Sequence, residues 1–406
     1  MKYLIYDKKR AVLPFLLALL PILTVFAPAF IVPIVIGLLV SAFLMEKNKF
    51  KNLKLKRAYL IPYIVFVLIC IALTFISRDH SISVKRLERY ISLILLPIII
   101  FSSDFSLSRI KLFFRVFVIV LLLISFYSLG RLIWFSYAFS DWIEVMRVAN
   151  KNNTYLQFKY PHLMWDVHPS YWSYLMILGN IILLNNKYFK NVFKQKYAIL
   201  FIVIFDVNLL YLAARVPVLI NFIIHFLVFG YVFRKNKWKL AMISSITLMV
   251  VIISYFQLPF LKYKVLHIWS DERFFLWKVG MERIRENYFI LGEGFGLSHD
   301  FFKRTLTLLD DPRLGYKGYE IHNQYLMALL ESGLLGLFSL LYVYITPLVK
   351  YTNKQIVTSK PLVSLLILVL FGSCIEPFFS ILKGIVLFSV FSSIFMVFHL
   401  KKEAKN

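Results

Sequence analysis

The chain has 406 residues, of which 60% are hydrophobic and only 17% charged, with a mean hydropathy of +0.73 and a formal net charge of +26. Apolar runs long enough to cross a hydrocarbon layer of about 30 Å recur from end to end, and a water-soluble core cannot absorb so many helices that are apolar on every side. The positive charge does not point to nucleic acid, because the basic residues lie in short segments between apolar runs, where the positive-inside rule places them.

In chain order, twelve spans are predicted: 11–27, 29–45, 59–77, 90–103, 113–138, 170–185, 197–213, 216–233, 240–256, 324–348, 361–379 and 382–400. The expected fold is therefore all-α and polytopic, one integral membrane domain over residues 1–406. The first span follows Lys8, Lys9 and Arg10 as a signal peptide would. No small-residue cleavage site follows it and a second span begins almost at once, so it reads as retained. Cys70 and Cys374 both fall inside predicted spans, which excludes a disulfide framework and a cysteine-ligated metal.

An even number of spans puts both termini on one side. The basic segments 2–10, 47–57, 109–111, 187–196, 234–239, 350–360 and 401–402 share that side, which the charge rule makes the cytoplasm. One short outer segment, 78–89, runs against the rule with Arg78, Lys85, Arg86 and Arg89. Two outer segments are larger, 140–170 and 257–323. The second carries ten Lys/Arg and nine Asp/Glu, so it reads as a folded, partly helical loop between spans 9 and 10. Large loops between tight hairpins are where function concentrates.

Within that loop, residues 270–288 read as an amphipathic helix against the membrane surface. Ser270 would be its N-cap, and Asp271 and Glu272 suit its positive end. Arg273 and Trp277 are four apart and share a face, as a cation–π pair at the interface or as part of a site. Gly292-Glu293-Gly294-Phe295-Gly296 follows with no predicted strand before it, so a structural turn comes first and backbone contact to a phosphate second. Then come His322-Asn323 and, nine residues on, Gly333-Leu334-Leu335-Gly336. On one continuous helix Gly333 would fall about 20° from His322, and Gly336 about 40° to the other side. That predicts a bare glycine stripe beneath the histidine. His322 is then either an interfacial residue on a packing helix or an imidazole able to take a proton from a hydroxyl.

These residues carry a resemblance. The pattern H-[N/S/Q]-x9-G-x-x-G at the end of a long outer loop resembles the signature of the O-antigen ligase family, which related polysaccharide polymerases share. His322, Asn323, Gly333 and Gly336 match its fixed positions. Arg273, Trp277, Gly292 and Gly294 resemble the family's R-x-x-x-W and glycine turn, although Phe289 stands where relatives often have proline. Arg215 resembles an arginine at the outer end of the seventh span.

The resemblance implies transfer of a glycan from an undecaprenyl-diphosphate carrier to an acceptor sugar, usually on lipid A–core. The reaction would take place at the periplasmic face of a bacterial inner membrane, with no cofactor and no metal. His322 would then act on the acceptor hydroxyl, while Arg215 and Arg273 bind the diphosphate, a group that guanidinium forks suit. His168 and Glu376 also resemble family positions. His168 reads equally as a helix-start residue, and Glu376 as a partner for an arginine or for a sugar hydroxyl. Asp206 reads as structural, satisfied by neighbours such as Asn208. A polymerase joining lipid-linked repeat units shares every requirement except the acceptor. A transporter of lipid-linked sugars would be expected to show a two-fold repeat or broken helices with midplane charges; no repeat is visible, and the notable polar residues cluster at one surface instead of along a pathway.

Overall fold

A computed structural model of the protein describes residues 2–27, 31–46, 57–138, 168–212, 214–232, 238, 272–285, 289–308, 321–350, 355–356 and 359–403. The predicted span 240–256, the segment 140–167, Ser270 and Asp271 lie outside these. The described structure is helical: α1 Lys2–Phe26, α2 Ile31–Leu44, α3 Ile61–Ile76, α4 His80–Ser102, α5 Leu107–Ala138, α6 Pro169–Leu184, α7 Gln195–Leu212, α8 Arg215–Val232, α9 Glu272–Arg283, α10 Ser298–Leu308, α11 Gln324–Ile345, α12 Lys360–Ser373 and α13 Leu382–Glu403. A two-residue ladder, Val349–Lys350 against Gln355–Ile356, is the exception among the described residues.

Four described stretches are long and apolar enough to cross a membrane: Ala58–Ile76, Leu107–Gly130, Gln324–Leu348 and Leu382–Lys402. Ala11–Phe26, Val32–Leu44, Pro169–Leu184, Arg215–Gly230 and Lys360–Ser373 are apolar but shorter. The helices gather into two compact units, residues 1–42 with 106–254 and residues 43–105 with 255–406.

The first unit is built around α6, in which every residue from Ser170 to Leu183 is buried. A helix apolar on all sides needs neighbours all round, and α1, α5, α7 and α8 supply them. Gly179 admits the closest neighbour, since a Cβ there would lie 2.6 Å from the Phe205 ring of α7. One residue on, Asn180 donates to Asp206 Oδ1 at 2.7 Å and to Asn221 Oδ1 at 3.0 Å. Asn221 donates to the same Asp206 oxygen at 2.8 Å, and His225 Nε2 stands 3.4 Å from Oδ2. Asp206 is thus satisfied from α6 and α8. Asn208 is not among these partners: two positions along one helix do not face each other, and it donates to Ile204 O instead.

The second unit centres on α13, buried continuously from Gly384 to Phe398 and packed against α4. Phe379 lies between Tyr344 and Phe388 at centroid distances of 5.1 and 5.3 Å, and the Tyr63 hydroxyl meets Ser392 Oγ at 3.2 Å. Helix α4 begins ten residues before the predicted span. Asp79 caps it by accepting from Ile82 N at 3.1 Å, and Ser83, Arg86, Tyr90 and Leu93 form one buried face at helical spacing. The basic segment that defied the charge rule is therefore the first part of a helix.

Candidate active site at the head of a broken helix

Helix α11 does not run unbroken beneath His322. Its backbone leaves the helical region at Gly333, with φ 60° and ψ −158°. The groups that this break releases are taken up by the glycine loop. Glu293 N donates to Leu330 O at 2.7 Å and Gly294 N to Glu331 O at 3.2 Å, while Leu334 N donates to Phe289 O at 2.9 Å. Both partners need glycine there. A Cβ on Gly292 (φ 74°) would come within 2.3 Å of Ser332 N, and one on Gly333 within 2.1 Å of Ile290 O. The two glycine motifs are halves of one joint. The continuous stripe expected from rotation along a single helix is thereby corrected: the count stops at Gly333, Gly336 lies beyond the break, and His322 precedes the helix. The amides of Glu293 and Gly294 are engaged by these carbonyls, as in a structural turn.

Helix α9 starts at Glu272 and ends in a π turn at Ile284 and Arg285. Its Leu276 and Ile284 join Phe302, Ile321, Met327 and Leu330 in a buried cluster, so this apolar face rests on protein. Trp277 packs against the same cluster and donates its indole N–H to Ile321 O at 2.7 Å. At the far end, Arg283 pairs with Glu293 at 3.0 Å and lies over the Phe301 ring, fastening the glycine loop to α9.

His322 occupies the left-handed region, with φ 48°, where a non-glycine residue signals a constraint. Asn323 next to it is the N-cap of α11, its Oδ1 accepting from Tyr325 N and Leu326 N at 3.0 Å each. Gln324 accepts from Phe379 N at 2.6 Å and so ties the start of α11 to the turn that carries Glu376. Arg89 of α4 holds the same turn through Ser380 O at 2.6 Å.

Across this junction Glu376, with its side chain 3% exposed, meets two cationic or potentially cationic groups. Arg273 Nη2 lies 3.8 Å from Oε1, and His322 Nδ1 lies 3.9 Å from Oε2. These are charge-pair separations and too long for hydrogen bonds. A carboxylate so deeply buried requires such partners. Nδ1 is the ring nitrogen that faces the carboxylate, with no hydrogen bond between them at this separation. Arg273 and His322 keep side-chain exposures of 31% and 21%.

Of the other residues singled out in the sequence, Arg215 is the first residue of α8, half-buried and preceded by the buried Ala214. His168 precedes α6 with Pro169 at the first helical position. It is exposed, makes no side-chain cap, and meets Tyr171 edge-on at 6.1 Å, as a helix-start residue does. Both belong to the first unit.

Two residues escaped the sequence reading. Glu331, inside α11, pairs with Arg86 at 2.6 Å. The sequence signal for Glu331 is a carboxylate within an apolar span, a costly place for one.

Long apolar helices mark a membrane protein, and at one helix head a histidine and an arginine face a buried carboxylate. Residues 198–341 match the family model described as O-Antigen ligase, and over that stretch the chain is similar to that family. The matched stretch holds Arg215, Arg273, His322 and both glycine motifs, and supports a glycosyltransferase activity of the ligase or polymerase type. No curated protein matches the chain.

Proposed function

We propose that the protein moves a glycan from an undecaprenyl-diphosphate carrier to an acceptor sugar hydroxyl, in the first instance as O-antigen ligation to lipid A–core at the periplasmic face of the inner membrane. The observation that carries this reading is the meeting of Arg273 and His322 on buried Glu376, at the head of the helix that bears the family's motif. Glu376 holds His322 with Nδ1 towards the carboxylate. Nε2 takes the proton of the acceptor hydroxyl as its oxygen attacks the anomeric carbon. The bond from that carbon to the diphosphate breaks, the electron pair leaves with the lipid diphosphate, and the anomeric configuration inverts. Arg273 stabilises the departing charge without a metal ion. Arg215 enters as a second diphosphate ligand on its sequence position and on the family match. The twelve-span arrangement, with both termini cytoplasmic, belongs to the same reading.

The test is transfer by purified protein in detergent, given a lipid-diphosphate-linked glycan and either lipid A–core or a second lipid-linked glycan. The expected product is glycan on lipid A–core, abolished in His322→Ala. Product on the second lipid-linked glycan would make the protein a polymerase. Intact donor with both acceptors would defeat the reading. Any transfer in detergent, with no membrane to cross, separates the enzyme from a transporter.

A further inference from the structure

We propose that Arg86 and Glu331 are positioning residues for His322, a role that rests on the reaction proposed above. The pair is deeply buried, with side-chain exposures of 10% and 5%, and its atoms meet at 2.6 Å. A buried ion pair adds little net stability over an apolar pair of similar volume, so stability alone is a weak reason for placing one here. Its geometry supplies a better one.

Arg86 engages α11 at two successive turns, through Nη1 to Glu331 and through Nη2 to Met327 Sδ at 3.1 Å. Glu331 Oε1 also accepts from Ser298 Oγ at 2.5 Å and from Ser298 N at 3.3 Å, at the start of α10. Ser83, one turn before Arg86, donates to Phe295 O of the glycine loop at 2.5 Å. Helix α4 therefore grips both the loop and the upper half of α11.

That upper half, Gln324 to Ser332, is cut off from the lower half at Gly333. A continuous helix would inherit its direction from the buried turns below, whereas this short piece needs lateral restraint. It is about 13 Å long at 1.5 Å per residue, so a tilt of about 3° at Glu331 moves the His322 end by roughly 0.7 Å. His322 faces Glu376 at 3.9 Å, so such a shift changes its separation from the carboxylate directly. Arg86 and Glu331 are the bolt that sets this tilt.

The test uses the full-length protein with Glu331→Gln and, separately, Arg86→Lys, which keeps the charge but not the two-pronged contact. Folded yield is read by gel filtration, and kcat and donor KM by the transfer assay. The rate at which diethylpyrocarbonate modifies His322 is read by peptide mass spectrometry, with exposed His168 as internal reference. The expected result is folded protein with kcat reduced about tenfold or more, donor KM within about twofold of wild type, and a modification rate shifted at His322 but not at His168.

Wild-type kcat with wild-type modification of His322 would overturn the proposal. A raised KM with unchanged kcat would also overturn it, by making the pair part of donor binding. Failure of both variants to fold would assign the pair to folding and overturn it too. If the wild-type protein transfers nothing, the proposed reaction fails, and the modification rate alone then decides whether the pair positions His322.

Discussion

Trp277 donates its indole N–H to the carbonyl of Ile321, the residue immediately before His322, at 2.7 Å. On the other flank Asn323 caps α11, so the left-handed backbone of His322 is clamped from both sides. The left-handed region costs a non-glycine residue about 1–2 kcal/mol, and without its clamps the histidine would relax towards ordinary backbone angles. Trp277→Phe keeps an aromatic ring against the cluster while removing the donor and part of the indole's volume. The expected result is a kcat about tenfold lower, donor KM nearly unchanged, and stability reduced by about 1 kcal/mol. Transfer kinetics and thermal melting measure these. An unchanged kcat would reduce the indole to packing.

Glu376 is the member of the cluster whose loss separates charge from shape. Glu376→Gln keeps the side chain's volume and its place in the turn while removing the charge that Arg273 and His322 face. Protein should accumulate normally, with kcat lower by about tenfold to a hundredfold, because the imidazole loses the group that orients it. Glu376→Ala should be worse in yield as well, since Arg273 then faces a cavity. Equal activity of the Gln variant and wild type would remove the carboxylate from the site.

What could be read in the sequence was local. The apolar runs announced helices, and residue types at fixed spacing announced His322, Arg273 and the glycines. Glu376 announced itself as a carboxylate where one is expensive to keep. What could not be read was non-local. A glycine on a packing stripe and a glycine at a helix break are the same letter, and only the approach of Gly292 and Ile290 tells them apart at Gly333. Arg86 finds Glu331 across 245 positions, and no spacing rule reaches that far. Asp206 is held by partners from α6 and α8, not from its own helix, and no local spacing announces them.

Gly333→Ala tests the joint directly. The substitution places a methyl where Ile290 O stands and asks alanine to hold φ 60°, threatening the three hydrogen bonds made by Glu293 N, Gly294 N and Leu334 N. The summed loss is on the order of 3 kcal/mol, enough to lower the melting temperature by several degrees and reduce transfer. Gly37→Ala is the control, since a Cβ there meets nothing within 4 Å. Its stability should stay within about 0.5 kcal/mol of wild type. Comparable behaviour of the two variants would count against the joint.

The polar network of the first unit makes a prediction of its own. Asn221 donates to Asp206 and accepts from Asn180, so Asn221→Ala strips two hydrogen bonds from buried or half-buried groups at once. The expected destabilisation is about 1–3 kcal/mol. Asn221→Asp should be at least as damaging, because it sets a second carboxylate against Asp206. Thermal melting of both variants in one detergent checks the order, and an Asp variant more stable than the Ala variant would contradict it.

Arg215 gives a prediction that turns on the kind of cation and not on charge alone. It opens α8 directly after the buried Ala214, between two apolar helices, where an arginine without a task is disfavoured. A ligand for a diphosphate needs the planar two-pronged donor, whereas a residue that only reaches for the membrane interface needs a positive charge on a long stem. Arg215→Lys separates these roles, since lysine keeps the stem and the charge but loses the fork. For a diphosphate ligand the expected outcome is a kcat/KM for the lipid-linked donor lower by about tenfold to a hundredfold, with normal folded yield. For an interfacial anchor the lysine variant would match wild type, and Arg215 would leave the proposed mechanism with Arg273 as its one assigned diphosphate ligand.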